Sequence, residues 1–143
     1  MTQAVFDKLL ELRDGAAAAV TSTASGTGIA VNPRMLPSCS WVISVTAIVA
    51  NDADETYVFT LEVSDVVGGT YTPIASFNWP RGNGAGKVHI GIQPDQAAFQ
   101  DTDSAFVRVT ATLGGTTPSV TYGSYLTKAT TNPGKARDTG GTP

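Results

Sequence analysis

Cysteine is almost absent from this chain. Cys39 stands alone among 143 residues, so no intramolecular disulfide can form. A disulfide-stapled secreted module is thereby excluded, and the hydrophobic interior must hold the fold by itself. Charge is also scarce, at 15%, with nine Lys and Arg against twelve Asp and Glu. Without a broad basic field, nucleic acid is not an expected partner. No apolar run approaches the roughly 20 residues that span a bilayer, so no membrane segment is read. Asp7, Glu11 and Asp14 fall where an export signal would need apolar residues. Histidine occurs once, as His89, which leaves little for hydrolytic or metal chemistry. Strong helix formers are sparse after residue 15, where Thr, Val, Gly and Ala dominate instead.

One segment reads as a helix. Val5, Phe6, Leu9, Leu10 and Leu12 recur at three-to-four spacing across Thr2–Arg13, with Thr2 as a cap and Gly15 as a stop. Residues 1–15 are therefore expected to form a short N-terminal helix or arm. It packs on its own domain or docks on a neighbouring subunit.

The rest alternates with period two. Two short strands, 17–24 and 28–32, are expected around a turn at Gly26 and Gly28, followed by a proline loop, Asn32–Pro37. From Ser38 the pattern strengthens: Cys39, Trp41, Ile43, Val45, Ala47 and Val49 face a core, and the even positions face outward. Tyr57, Phe59, Leu61 and Val63 repeat it, as do Val88, Ile90 and Ile92, and Ala105 through Leu113. Tyr71–Trp79 contains Pro73, which lacks a ladder donor, so this strand belongs at an edge or carries a bulge. One helical turn is allowed around Asp95–Phe99 within the connection Pro94–Thr102. A last strand covers Ser119–Leu126. About eight short strands with regular turn signals indicate an all-β antiparallel sandwich or barrel. The sandwich domain is read as residues 16–126. Residues 127–143 lack large apolar side chains and read as a flexible C-terminal tail.

Chemistry-bearing motifs are weak throughout. A Cys39–His89 pair would need both side chains on one face, whereas Cys39 falls on an inward face and His89 on an outward one. Structural zinc needs four ligands, usually Cys and His, and one of each is present. Asp52, Asp54 and Glu55, and again Asp101 and Asp103, offer oxygen ligands, but neither cluster has the EF-hand glycine or flanking helices. Gly82-Asn-Gly-Ala-Gly-Lys87 resembles a phosphate loop only superficially: Arg81 replaces its first glycine, Val88 its Ser or Thr, and a strand follows. Paired turn carboxylates for glycoside hydrolysis rank third among the functional readings. No catalytic residue, cofactor or metal is expected. Phe106, on the outward face beside Arg108, covers a second apolar surface or a subunit contact.

Two segments carry a resemblance. Glu55-Thr-Tyr-Val-Phe-Thr-Leu-Glu-Val-Ser-Asp65 with Gly69-Thr-Tyr-Thr-Pro-Ile74, and Phe106-Val-Arg-Val-Thr-Ala-Thr-Leu-Gly-Gly-Thr-Thr-Pro-Ser-Val120, resemble tailed-phage head decoration proteins. Size, low charge and Thr/Gly-rich strands are similar to the jelly-roll cement proteins of podophages such as those infecting Bordetella. The likeness covers residues 17–126 and leaves out the N-terminal segment and the tail. It implies a jelly-roll-like sandwich made in the host cytoplasm and placed on the outer surface of the virion capsid. There it would bind the major capsid protein, bridge capsomers and reinforce the shell. A homo-oligomer is expected, a dimer before a trimer, because a second docked subunit binds at high effective concentration. The side chains chosen for capsid or subunit contact are Phe6, Leu9 and Leu10 in the arm, Arg34 and Met35 in the proline loop, and Trp79 and Arg81 beside the glycine loop. The rival reading is a glycan-binding adhesive module displayed on a virion or cell surface.

Overall fold

Alternating side chains need a partner sheet on their apolar side, and here two antiparallel sheets supply it for each other. The computed structural model describes residues 10–31, 39–49, 54–92 and 105–128. Within them lie nine strands: β1 (Glu11–Arg13), β2 (Ala24–Ser25), β3 (Ile29–Val31), β4 (Cys39–Ile48), β5 (Thr56–Ser64), β6 (Thr72–Asn78), β7 (Gly86–Gly91), β8 (Ala105–Gly114) and β9 (Val120–Lys128). One sheet has the order β1-β9-β4-β7; the other has β2-β8-β5-β6, with β3 also on β8.

β2 and β3 are halves of one interrupted strand. Ser25 lies opposite Thr110 and Ile29 opposite Val107, so four steps on one side match three on β8. The glycine-rich stretch Gly26–Gly28 is thus a bulge along β8, not the hairpin turn its composition suggests. Counted this way, the first, eighth, third and sixth strands form one sheet and the second, seventh, fourth and fifth the other. That is the jelly-roll order. The chain changes sheets between Val20 and Ala24. Val20 exchanges both backbone hydrogen bonds with Val120 of β9, at 2.8 and 3.0 Å, and Ala24 pairs with Ala111 of β8.

The expected N-terminal helix does not extend to Arg13. Glu11–Arg13 is a strand, with Glu11 opposite Tyr125 and Arg13 opposite Ser124 across a bulge. Leu10 and Leu12 are both buried and Glu11 between them is half-exposed, so period two prevails locally. The cause is tertiary: β1 completes the otherwise open edge of β9. The sandwich therefore begins before residue 16, and β9 carries it to Lys128, past the expected boundary at 126. Residues 1–9, the turn at Asp95–Phe99 and the tail after Lys128 lie outside the described residues.

The core is built from Trp41, Ile43, Tyr57, Phe59, Leu61, Val107, Val109, Tyr122 and Leu126, each almost fully buried. Burying such side chains contributes about 1.5–3 kcal/mol each. Phe59 is the hub, edge-on to Trp79 at 6.2 Å and tilted on Tyr122 at 4.7 Å between ring centroids. Buried polar side chains of the core find partners at two places. Trp41 Nε1 donates to Ser124 Oγ at 2.8 Å, and that hydroxyl donates to the Val42 carbonyl at 2.9 Å. The Tyr57 hydroxyl donates to the Val49 carbonyl and accepts from the Ser119 amide at 3.0 Å, tying two connections at one end of the sandwich. Pro73 has both consequences its chemistry predicts: β6 is an edge strand, and its register with β5 shifts between Leu61 and Glu62. Parity fails at Val42, which lies on the outward side of β4 yet is fully buried, and it reverses after the bulge between Val45 and Ala47, where Ala47 is exposed and Ile48 packs on the core.

Candidate functional site

The connections divide between two ends of the sandwich. At one end are the stretch from β1 to β2, the chain after β4, the β6–β7 loop and the β8–β9 turn, clustered around Tyr57 and Val120. At the other are the β5–β6 turn and the described chain ends Leu10, Val31, Cys39, Ile92 and Lys128. The pairings Val31–Ala105, Ser40–Gly91 and Cys39–Lys128 place them together.

Trp79 and Arg81 belong to the first end. Trp79 is only 4% exposed. Its amide donates to the Tyr57 carbonyl at 2.9 Å and its indole Nε1 donates to the Gly84 carbonyl at 3.0 Å. Phe77 packs edge-on against it at 5.7 Å. The indole thus anchors the glycine loop from beneath, and the exposed residues here are neighbours such as Pro80, Gly82 and Asn83. Arg81 opens the short 3-10 turn Arg81–Asn83, and Gly84, at φ 63°, reverses the chain into β7. Leu10 is 7% exposed and joins the core, so it too is a packing residue. Phe6, Leu9, Arg34 and Met35 lie outside the described residues. The strand ends flanking Arg34 and Met35, Val31 and Cys39, are at the end opposite Arg81. Of the chosen contact residues, Leu10 and Trp79 are the two whose side chains are described, and both are buried.

The large apolar side chains that are exposed among the described residues lie elsewhere. Val66 and Val67, 56% and 49% exposed, sit at the tip of the β5–β6 turn. The turn is held firmly. Ser64 Oγ caps the Val66 amide at 3.1 Å, the Gly69 amide donates to the Val66 carbonyl at 2.9 Å, and the Tyr71 hydroxyl donates to the Val67 carbonyl at 2.8 Å. Tyr71 in turn lies under the Arg108 guanidinium, 4.0 Å from its ring centroid. Arg108 Nε and Thr110 Oγ1 both donate to Glu62 Oε1 at 2.7 Å, and Ser25 bonds Thr110 at 2.9 Å. A polar network on the outer face of the second sheet thus runs from the bulged strand to the turn. The signal was present in the sequence: two adjacent valines between Asp65 and Gly68-Gly69 fit no alternation and have no inward face to occupy. Phe106, the other outward aromatic, is half-buried, and its Cβ lies 3.3 Å from where a Gly28 side chain would start.

The chemistry-bearing residues stay apart. Cys39 is buried on the inner face of β4, whereas His89 is exposed and opposes Val42 on the outer face of the same sheet. Asp54 Oδ2 accepts from Thr116 Oγ1 at 2.6 Å, and Glu55 is buried. Asp52, Asp101 and Asp103 lie outside the described residues. Among the described residues no three His, Cys, Asp or Glu side chains gather into a metal-sized group. Also among them, no helix is long and apolar enough to cross a membrane.

The fold defines the class, an antiparallel jelly-roll sandwich. No protein-family model matches the chain, and no curated protein matches it either.

Proposed function

We propose that this protein is a capsid decoration protein that binds the major capsid protein on the outer surface of a phage head, bridges capsomers and stabilises the shell. The observation that carries this reading is the Val66–Val67 tip, an apolar contact presented on a turn braced by Ser64, Tyr71 and Arg108. Preorganisation matters because a braced turn loses little conformational freedom on docking. A capsid repeats one surface many times, so a small contact of this kind suffices when copies act together. The jelly-roll topology and the resemblance of residues 55–74 and 106–120 to decoration proteins support the same assignment.

The test is co-sedimentation of the purified protein with empty capsids, together with the capsid melting temperature. Binding and a raised melting temperature are expected, and Val66→Asp with Val67→Asp lowers occupancy. Arg34→Ala with Arg81→Ala gauges the two loop arginines in the same assay; unchanged occupancy removes them from the contact set. Saturable binding on a glycan array without capsid binding would overturn the assignment in favour of an adhesive module.

A further inference from the structure

The four sheet edges are protected very unequally. β1 has three residues and a bulge. β2 and β3 are two and three residues long, with a bulge between them. β6 carries Pro73 and a register shift. Short strands, bulges and prolines are the devices that prevent one sheet edge from pairing with another. β7 has none of these, and of the remaining device, a charged side chain on the edge, it has Lys87 alone. Gly86–Gly91 runs opposite Val45–Ser40 through six consecutive pairs without a shift. Gly86, Lys87, His89 and Gly91 are all exposed. The inward residues Val88 and Ile90 are only half-buried, as are Ala75 and Phe77 on β6, the edge strand of the facing sheet. The core therefore reaches the surface along the β6–β7 flank.

We propose that β7 is a dimerisation edge, and that a second copy of this chain adds its own β7 antiparallel across a two-fold axis, joining two four-stranded sheets into one. The occupant follows from the pattern of β7 itself. A two-fold axis normal to the sheet keeps each face on its own side, so inward residues meet inward residues. With His89 opposite its copy, Val88 meets Ile90 of the other chain, and Lys87 meets the unobstructed Gly91. No like-charged lysines face each other, and no apolar residue faces a polar one. One register towards Gly86, Lys87 would face a histidine and Ile90 would face Gly86 in place of Val88; one register towards Gly91, three pairs would remain within the strand in place of five. The proposal needs only the purified chain, so it stands or falls separately from capsid binding.

Sedimentation velocity of the full-length protein tests the state, and cysteine cross-linking tests the register. A concentration-dependent monomer–dimer equilibrium is expected. His89→Cys in a Cys39→Ser background should oxidise to a covalent dimer, because directly opposed strand residues lie about 4.5–5.5 Å apart at Cα, within disulfide reach. Lys87→Cys in the same background should not, because its copy is displaced by four residues, about 13 Å along the strand. Val88→Lys, placing a charge on the inward side of the edge, should abolish the dimer, with circular dichroism reporting retention of the fold. A monomer at every concentration, a trimer, or cross-linking through Lys87→Cys in preference to His89→Cys would overturn the proposal. If Val88→Lys unfolds the chain, the cysteine pair still decides.

Discussion

Replacing Ser124 with Ala removes one oxygen atom from the interior and should cost far more than its size suggests. Ser124 and Trp41 are both fully buried. The Ser124 hydroxyl accepts from the indole Nε1 at 2.8 Å and donates to the Val42 carbonyl at 2.9 Å. Without it, the indole N–H keeps its place in an apolar core with nothing to bond. Stranding a buried donor costs about 1–3 kcal/mol, whereas removing both partners of a bond is close to neutral in that term. Ser124→Ala is therefore expected to destabilise by about 2 kcal/mol, roughly 6–10 °C in melting temperature for a domain of this size. The assay is a double-mutant cycle with Trp41→Phe, read by urea denaturation. Trp41→Phe carries its own packing cost, but it removes the donor, so Ser124→Ala should cost at least about 1 kcal/mol less in that background. Thr112→Ala, at an exposed position on β8, serves as the surface control and should stay within about 0.5 kcal/mol of the parent. Equal costs of Ser124→Ala in both backgrounds would refute the reasoning, since the loss would then be packing and not a stranded donor.

Three further outcomes are expected. Gly115→Ala should destabilise by more than about 2 kcal/mol in chemical denaturation: φ is 102°, and a Cβ there would lie 2.6 Å from the Asp54 carbonyl oxygen, a backbone atom that cannot swing aside. Tyr122 should produce an alkaline limb in stability, because burial raises its phenol to about 12 from 10.0, against a smaller lowering by Arg13. Above pH 10 the unfolded chain loses this proton while the folded chain keeps it, so stability falls as pH rises through that window, by about 2–3 kcal/mol at most. Comparing denaturation at about pH 9 and about pH 11 should show a smaller drop for Tyr122→Phe than for the parent. Glu62→Ala should cost about 1–2 kcal/mol, since buried Thr110 loses its acceptor and Arg108 its ion pair; the same variant should loosen Tyr71, seen as faster hydrogen exchange in the β5–β6 turn.

Legibility in the sequence followed how local each determinant was. β5, β7, β8 and the first half of β4 were readable because period-two alternation carries most of the instruction, whereas the bulge after Val45 that reverses the faces of Ala47 and Ile48 leaves no mark in the pattern. Pro73 was equally readable, since a missing N–H has the same consequence in any sheet. β1 was not. Leu9, Leu10 and Leu12 satisfy helical spacing, while Leu10-Glu11-Leu12 also satisfies alternation, and the choice was made by the vacant edge of β9, more than a hundred residues away. The Gly26–Gly28 stretch was misleading for a similar reason. Its glycines permit a tight turn, but β8 is long enough to pair on both sides of them, so the backbone gains more by bulging than by reversing.

The contact residues depend on exposure, the least local property of all. Large apolar or cationic side chains in loops are sensible choices for contact, yet an indole in a loop has an N–H to satisfy and a broad surface to bury. At Trp79 the nearby Gly84 carbonyl and the Phe59 and Phe77 rings meet both needs, drawing the side chain inward. Val66 and Val67 lack this recourse. Their turn points away from the core, its polar atoms are already engaged by Ser64 and Tyr71, and two adjacent β-branched residues cannot both be folded under it. The braced backbone therefore keeps both side chains in water, as the proposed capsid contact requires. What leaves an apolar side chain exposed in this sandwich is thus the absence of any inward route, and side-chain type alone does not reveal it.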